Sequence, residues 1–251
     1  MSRYLFILTG ASRGMGLAMA TKLLKPGNTL LCISRKTSDA LLQEASTSGA
    51  SLLQWTQDLA QGTVASARLN QWLTEQSRAG FTSAVLINNA GMMPGIGPLS
   101  DLDASDMRQA LQVGIEAPMQ LTAAFLSATA QWPARRKVLN ISSGLGRKAM
   151  ASQAVYCAAK AAMDHFTRCV ALEEALKTNG AMVCSLAPGV IDTDMQAQLR
   201  GADGASFPDQ STFLGLKRKG LLSSPEEAAG RVLAYLARPD FGQHPVADVR
   251  D

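Results

Sequence analysis

A short apolar strand that runs straight into a glycine-rich turn, and from there into a helix, leaves a chain few choices of fold. Here Tyr4-Leu5-Phe6-Ile7-Leu8-Thr9 is followed by Gly10-Ala11-Ser12-Arg13-Gly14-Met15-Gly16, then by an alanine- and leucine-rich helical run. Glycine turns tightly and lets other groups approach the backbone closely. The helix that follows offers unpaired N–H groups and the positive end of its dipole. The unit therefore builds a phosphate site from backbone alone. The spacing is G-x-x-x-G-x-G, and it lacks the Gly-Lys-Ser/Thr ending of a P-loop.

The same rhythm continues down the chain. Apolar runs at Tyr4–Thr9, Thr29–Ser34, Ser51–Thr56, Ala84–Asn88, Lys137–Ile141 and Met182–Leu186 read as strands. Helices are expected near Gly14–Lys25, Ser38–Ser46, Thr63–Arg78, Ala104–Ala128 and Ser152–Lys177. A further helix starts at Ser224-Pro225-Glu226-Glu227, with a capping serine and a proline in its first turn. Continuous apolar strands separated by helices imply an α/β fold, a doubly wound parallel sheet covered by helices on both faces. In such a sheet ligands gather at the carboxyl ends of the strands. The 251 residues suit a single domain spanning 1–251. The stretch from Asp192 to Gly220 is rich in Gly, Asp, Gln and Ser and breaks the rhythm, so it is expected to be a substrate loop.

Composition narrows the function classes. The net charge is +4, with the basic residues scattered apart from Arg135-Arg136-Lys137 and Lys217-Arg218-Lys219. Both triplets read as solvated loop ends. With no basic face and no reading motif, a nucleic-acid partner is not expected. A mild positive excess suits a ligand with several phosphates. Cys32, Cys157, Cys169 and Cys184 form no C-x-x-C pair, and three of them read as core thiols; no metal site is expected. No apolar run reaches membrane-spanning length, and the first strand begins almost at the N-terminus. A cytoplasmic location without a signal peptide is the expectation. The two histidines, His165 and His244, lie away from the motifs; His165 reads as core or interface packing. Met92, Met93 and Met195 lie beside the motifs and would line an apolar pocket or fill the core.

The chemistry is carried by residues far apart in the chain. Tyr156 and Lys160 are four apart on an expected helix and share a face. A free tyrosine, with a pKa of about 10, is a poor acid–base at neutral pH. A nearby lysine cation is expected to lower it. Ser143 follows the strand ending in Ile141, where its hydroxyl can bond a substrate carbonyl.

Together with Thr9 to Gly16, Asp58, Asn88-Asn89-Ala90-Gly91 and Pro188-Gly189-Val190-Ile191-Asp192-Thr193, these residues resemble the short-chain dehydrogenase/reductase family over nearly the whole chain. The resemblance implies a Rossmann-type fold and a nicotinamide cofactor. It implies Tyr156 as proton donor, Lys160 on the nicotinamide ribose and beside Tyr156, and Ser143 on the substrate oxygen. Gly10, Ser12, Arg13, Gly14, Met15 and Gly16 would cradle the pyrophosphate. Asp58 would lie by the adenine, and Asn89, Ala90 and Gly91 along the cofactor. Thr193 and the backbone at Val190 or Ile191 would meet the carboxamide, with Pro188 and Gly189 also on the cofactor. One position departs: Gly114 stands where many members carry an asparagine that supports a proton relay.

The second strand ends Ser34-Arg35 with no acidic residue, which favours NADP over NAD. Arg13 and Arg35 would clamp its 2′-phosphate. The C-terminal third resembles sepiapterin reductases, in which a carboxylate near the C-terminus grips the pterin. Asp248 falls at that position, and a surface role in a frayed tail is the other reading. Benzil reductases resemble the chain equally. An NADP-dependent reductase of a small-molecule carbonyl is expected, as a homodimer or homotetramer. The rival is an NADP-binding regulatory protein, favoured only by Gly114.

Overall fold

The computed structural model describes residues 3–76 and 80–251. Its strands are β1 (Tyr4–Thr9), β2 (Asn28–Ser34), β3 (Ser51–Thr56), β4 (Ser83–Asn88), β5 (Arg135–Ile141), β6 (Met182–Ala187) and β7 (Val246–Asp248). The helices are α1 (Gly14–Leu23), α2 (Asp39–Ser48), α3 (Gly62–Glu75), α4 (Ala104–Leu111), α5 (Ala117–Ala128), α6 (Ala154–Ala175), α7 (Asp194–Gly201), α8 (Gln210–Arg218) and α9 (Pro225–Ala237). The expected end of α3 at Arg78 lies outside the described residues. The strands form one seven-stranded sheet in the order β3-β2-β1-β4-β5-β6-β7. Every pairing is parallel.

Fully apolar strands demand cover on both faces, and two separate cores supply it. On one face Met19, Leu23 and Val232 from α1 and α9 pack with Leu8, Leu30 and Ile87. On the other, Leu69, Leu121 and Phe125 from α3 and α5 pack with Leu5, Ile7 and Leu86. α9 starts with a capping box: Ser224 Oγ accepts from Glu227 N–H, and the Glu227 carboxylate accepts from Ser224 N–H. Such a cap is worth about 1 kcal/mol.

Side-chain ladders fix how the strand ends meet the helices. Asn88 on β4 donates to Asn140 on β5 at 2.9 Å and to Thr122 on α5 at 3.1 Å. Asn140 donates in turn to Thr167 on α6 at 2.9 Å. These bonds are buried, so each replaces a solvation loss that would otherwise stand uncompensated.

Four features differ from the expectation. The long helix from Ala104 is broken by a π-helical turn at Gln112–Glu116, with Pro118 in the first turn of α5. A proline cannot donate into the preceding turn, which suits a restart there. The 192–220 segment is not an open loop: α7 and α8 pack Leu199, Phe207 and Phe213 into a small core of their own, with Met93 and Met150 against it. Arg135-Arg136-Lys137 is not a solvated loop end but the start of β5. Arg136 is buried, bonding the Asn179 carbonyl and pairing with Glu174, because β5 is covered by α6 at that level. Finally, the tail forms β7 by pairing with β6. Of the cysteines, Cys32 and Cys184 are buried, Cys157 is half-buried and Cys169 exposed. His165 is exposed rather than packed in the core. Among the described residues no helix is long and apolar enough to cross a membrane, and no cluster of side chains could hold a metal ion.

Candidate active site

The glycine turn sits at the carboxyl end of β1 and is locked from three sides. Gly10 N–H donates to the Ile33 carbonyl, and Ala11 N–H to Ser34 Oγ at 2.8 Å. Thr9 Oγ1 accepts from the N–H groups of Asn89 and Ala90 at 2.9 and 3.0 Å. Asn89 Nδ2 donates back to the carbonyls of Thr9 and Gly10. The turn crosses itself so closely that a Cβ on Gly16 would lie 2.0 Å from the Gly10 carbonyl oxygen. No side chain caps α1 and no acidic residue occupies its first turn. Free N–H groups with no carboxylate competing for them fit the pyrophosphate of a dinucleotide.

The catalytic candidates converge two strands over, beyond β4, at the end of β5. Ser143 follows β5, and its Oγ accepts from Leu145 N–H at 3.1 Å, which fixes its direction. The Ser143 hydroxyl lies near that of Tyr156. Lys160, 6 % exposed, donates to the Ile141 carbonyl at 2.7 Å. Its Nζ lies 5.7 Å from the centre of the Tyr156 ring. Burial pulls the Lys160 ammonium down to about 8, and the neighbouring Asp164 opposes that fall. Tyr156 behaves otherwise than expected. Burial pushes its hydroxyl up, and the neighbouring Ser143 hydroxyl only partly opposes this. Lys160 Nζ is directed to the Ile141 carbonyl at the strand end. A phenol that stays protonated suits proton donation.

The cofactor loop closes the other side. Ile191 bridges Ser223, and Ser223 N–H donates to the Val190 carbonyl at 3.0 Å. A Cβ on Gly91 would touch Met195 and Lys160, so the end of β4, α7 and the catalytic lysine meet there. Thr193 approaches Gly14 across the opening.

A family model described as short chain dehydrogenase matches residues 5–204. The chain belongs to the short-chain dehydrogenase family. It is an oxidoreductase, and a nicotinamide cofactor fits its turn. It is 33% identical over 237 residues to a benzil reductase ((S)-benzoin forming) of Bacillus cereus, covering 94% of this chain and 95% of that one. It is 33% identical to a sepiapterin reductase of Xenopus tropicalis, covering 92% and 90%. A solved structure from Agrobacterium tumefaciens with bound NADP shares 25% identity at a TM-score of 0.79, covering 99% and 95%.

Some short-chain dehydrogenase positions are engaged elsewhere in this chain. Arg13 pairs with Asp194 at 2.7 Å, both largely exposed. Such a pair is worth little and yields readily to a phosphate. Arg35 is exposed at the end of β2. Asp58 caps the short turn after β3, accepting from Ala60 N–H at 2.9 Å. Asp248 is buried in β7 rather than frayed. Both its carboxylate oxygens accept from the Arg250 guanidinium, at 2.7 and 2.6 Å. That bond holds its carboxyl below the usual range. The described contacts do not link Asp248 to Ser143 or Tyr156.

Sequence reasoning missed the brace behind the site. Asp164, one turn beyond Lys160, accepts from Ser185 at 2.6 Å and from Arg147 at 3.2 Å. Arg147 also donates to the Ala247 carbonyl at 2.8 Å. The Ser143 loop, α6, β6 and β7 are thus tied together. The helical spacing of Lys160 and Asp164 was the available signal.

Gly114 lies buried in the π-helical turn. A Cβ there would come 3.3 Å from Ala159 Cβ, three residues beyond Tyr156. The glycine lets this helix close onto α6. Gly114→Asn is therefore expected to cost about 1–3 kcal/mol of stability through overpacking, read by denaturant unfolding. Unchanged stability with faster turnover would show that the site has room for the side chain.

Proposed function

We propose that this chain reduces the carbonyl of a ketone or diketone to an alcohol, with NADPH as reductant. The convergence of Ser143, Tyr156 and Lys160 beyond the end of β5 carries this reading. Bound NADPH would supply the hydride to the carbonyl carbon. The chain supplies everything else. Ser143 and Tyr156 donate to the substrate oxygen and orient it. Tyr156 gives up its proton, and the phenolate left behind faces the Lys160 ammonium. Lys160 would also hold the nicotinamide ribose. Gly10, Ser12, Gly14, Met15 and Gly16 would hold the pyrophosphate, and Asn89, Ala90 and Gly91 would follow the cofactor. Thr193 and the backbone at Val190 or Ile191 would meet the carboxamide, with Pro188 and Gly189 also on the cofactor.

Among the relatives, benzil and sepiapterin reductases suggest two ring types. Asp248 would suit a pterin's guanidine-like edge, but it already pairs with such an edge, the Arg250 guanidinium, through both oxygens. That observation favours a neutral ring. Exposed Leu111, Met119 and Leu172 on α4, α5 and α6, with Leu176 just after α6, support a homodimer or homotetramer. We place one such domain over 1–251 in the cytoplasm.

The absence of an acid at Ser34-Arg35, with Arg35 free at the strand end, supports NADPH over NADH. The test is diketone reduction with each cofactor. Wild type should favour NADPH, and Arg35→Asp should cut that preference about tenfold or more, the worth of a charged hydrogen bond. Equal use of both cofactors by the wild type contradicts the assignment.

A further inference from the structure

Ser143 stands on a loop that has just left the sheet. Ser142 N–H still donates to the Leu186 carbonyl on β6 at 2.9 Å. Beyond it, the backbone bonds up to Lys148 run within the loop. Gly146 N–H donates to the Ser143 carbonyl, and Arg147 and Lys148 N–H donate to the Gly144 carbonyl. These bonds curl the loop without fastening it. The fastening comes from one side chain, Arg147. Its Nε donates to Asp164 Oδ2 on α6 at 3.2 Å, and its Nη2 donates to the Ala247 carbonyl on β7 at 2.8 Å.

Both receiving ends are themselves held. Asp164 is 2 % exposed, and its other oxygen accepts from Ser185 on β6 at 2.6 Å. On the tail, Val249 N–H donates to the Ala187 carbonyl at 3.0 Å, and Asp248 N–H donates to the Asp251 carboxylate at 3.0 Å. A guanidinium is planar, with donors in fixed directions, so one arginine on two anchored acceptors sets a position that a lysine's point charge does not. The loop is pressed hard onto α6 as a result. A Cβ on Gly146 would come 2.9 Å from the Lys160 carbonyl oxygen and 3.0 Å from Asp164 Oδ2. The loop bearing Ser143 thus closes on the helix bearing Tyr156 and Lys160.

Two hydroxyls on different elements must meet one substrate oxygen, and a misplacement of about 1 Å costs on the order of a hundredfold in rate. Building on the carbonyl-reductase reading above, we propose that Arg147 is a positioning residue for the reaction: it clamps the Ser143 loop to α6 and to the C-terminal strand, keeping Ser143 and Tyr156 aligned on the same oxygen. The tail then acts on the site through Arg147, with no contact between Asp248 and substrate. The cofactor side is independent of the clamp. The glycine turn is locked by Ile33, Ser34 and Asn89, and Lys160 is anchored on Ile141.

The test compares wild type with Arg147→Met, which removes both arms and keeps an unbranched stem. Rates are read on the acid plateau, below the Lys160 titration at about 8. With a diketone, kcat should fall by about tenfold to a hundredfold. NADPH affinity should stay within about threefold of wild type. A lone Asp164 left buried is itself destabilising. A second variant, Arg147→Met with Asp164→Asn, removes both charges while the amide oxygen still accepts from Ser185. It should show the same loss of kcat. Hydrogen exchange of the NADP⁺ complex gives a readout without turnover: residues 143–147 and 246–249 should both exchange faster in each variant. Wild-type kcat in the folded double variant, NADPH affinity falling as far as kcat, or faster exchange in only one of the two segments overturns the role of Arg147. Joint loosening of both segments, in a protein whose wild type reduces no carbonyl, would uphold the clamp and contradict the carbonyl-reductase reading instead.

Discussion

In a Tyr156→Phe variant, carbonyl reduction falls about a thousandfold, the scale of a lost general acid, while NADPH affinity stays within about threefold. The phenyl ring keeps the packing of Tyr156 at the start of α6. Only the hydroxyl is gone. The substrate oxygen keeps one donor, Ser143, whose direction is still set by Leu145 N–H. The loss should therefore appear in kcat more than in KM. Steady-state rates with a diketone, alongside NADPH titration by fluorescence, separate the two. A Phe variant with near-wild-type kcat would mean that the proton comes from elsewhere.

Lys160→Ala carries the other large effect, and it is of a different kind. The ammonium is buried, anchored on the Ile141 carbonyl, and stands where a phenolate would form. Its removal strips a cation from both the ribose position and the tyrosine. Turnover should fall about a hundredfold and the KM for NADPH rise about tenfold. The pH profile adds a signature. Burial lowers the Lys160 pKa to about 8, so the required cation is present below that pH and lost above it. In wild type, kcat/KM for reduction should decline as pH rises through about 8. Lys160→Ala should lack this limb. An unchanged limb in the variant would assign the titration to another group.

Much of this was legible before any coordinates, because the glycine turn and the strand ends announce themselves by residue type. Gly10 and Gly16 interrupt apolar runs at a spacing that only a close backbone crossing explains, and Tyr156 and Lys160 share a helix face. What escaped the sequence was set by tertiary contact. β7 is three residues, too short for a periodic pattern, and it is a strand only because β6 lies beside it. The 192–220 segment reads as polar loop, yet Leu199, Phe207 and Phe213 meet across it to form a core. Arg136 carries a charge that reads as surface, and Glu174 on α6 is what allows its burial. The break in the helix from Ala104 had a signal in Gly114 and Pro118, masked by the apolar residues around them. The raised Tyr156 depends on burial, which no local pattern records.

On the proposed function, Ser143, Tyr156 and Lys160 form a working carbonyl-reducing site. The most direct measurement is NADPH oxidation by the wild-type protein with benzil supplied, with the product quantified alongside. One carbonyl should be reduced for each NADPH consumed, at a rate far above that without benzil. NADPH that binds tightly yet is not oxidised with benzil or sepiapterin would contradict it and favour a cofactor-binding protein without turnover.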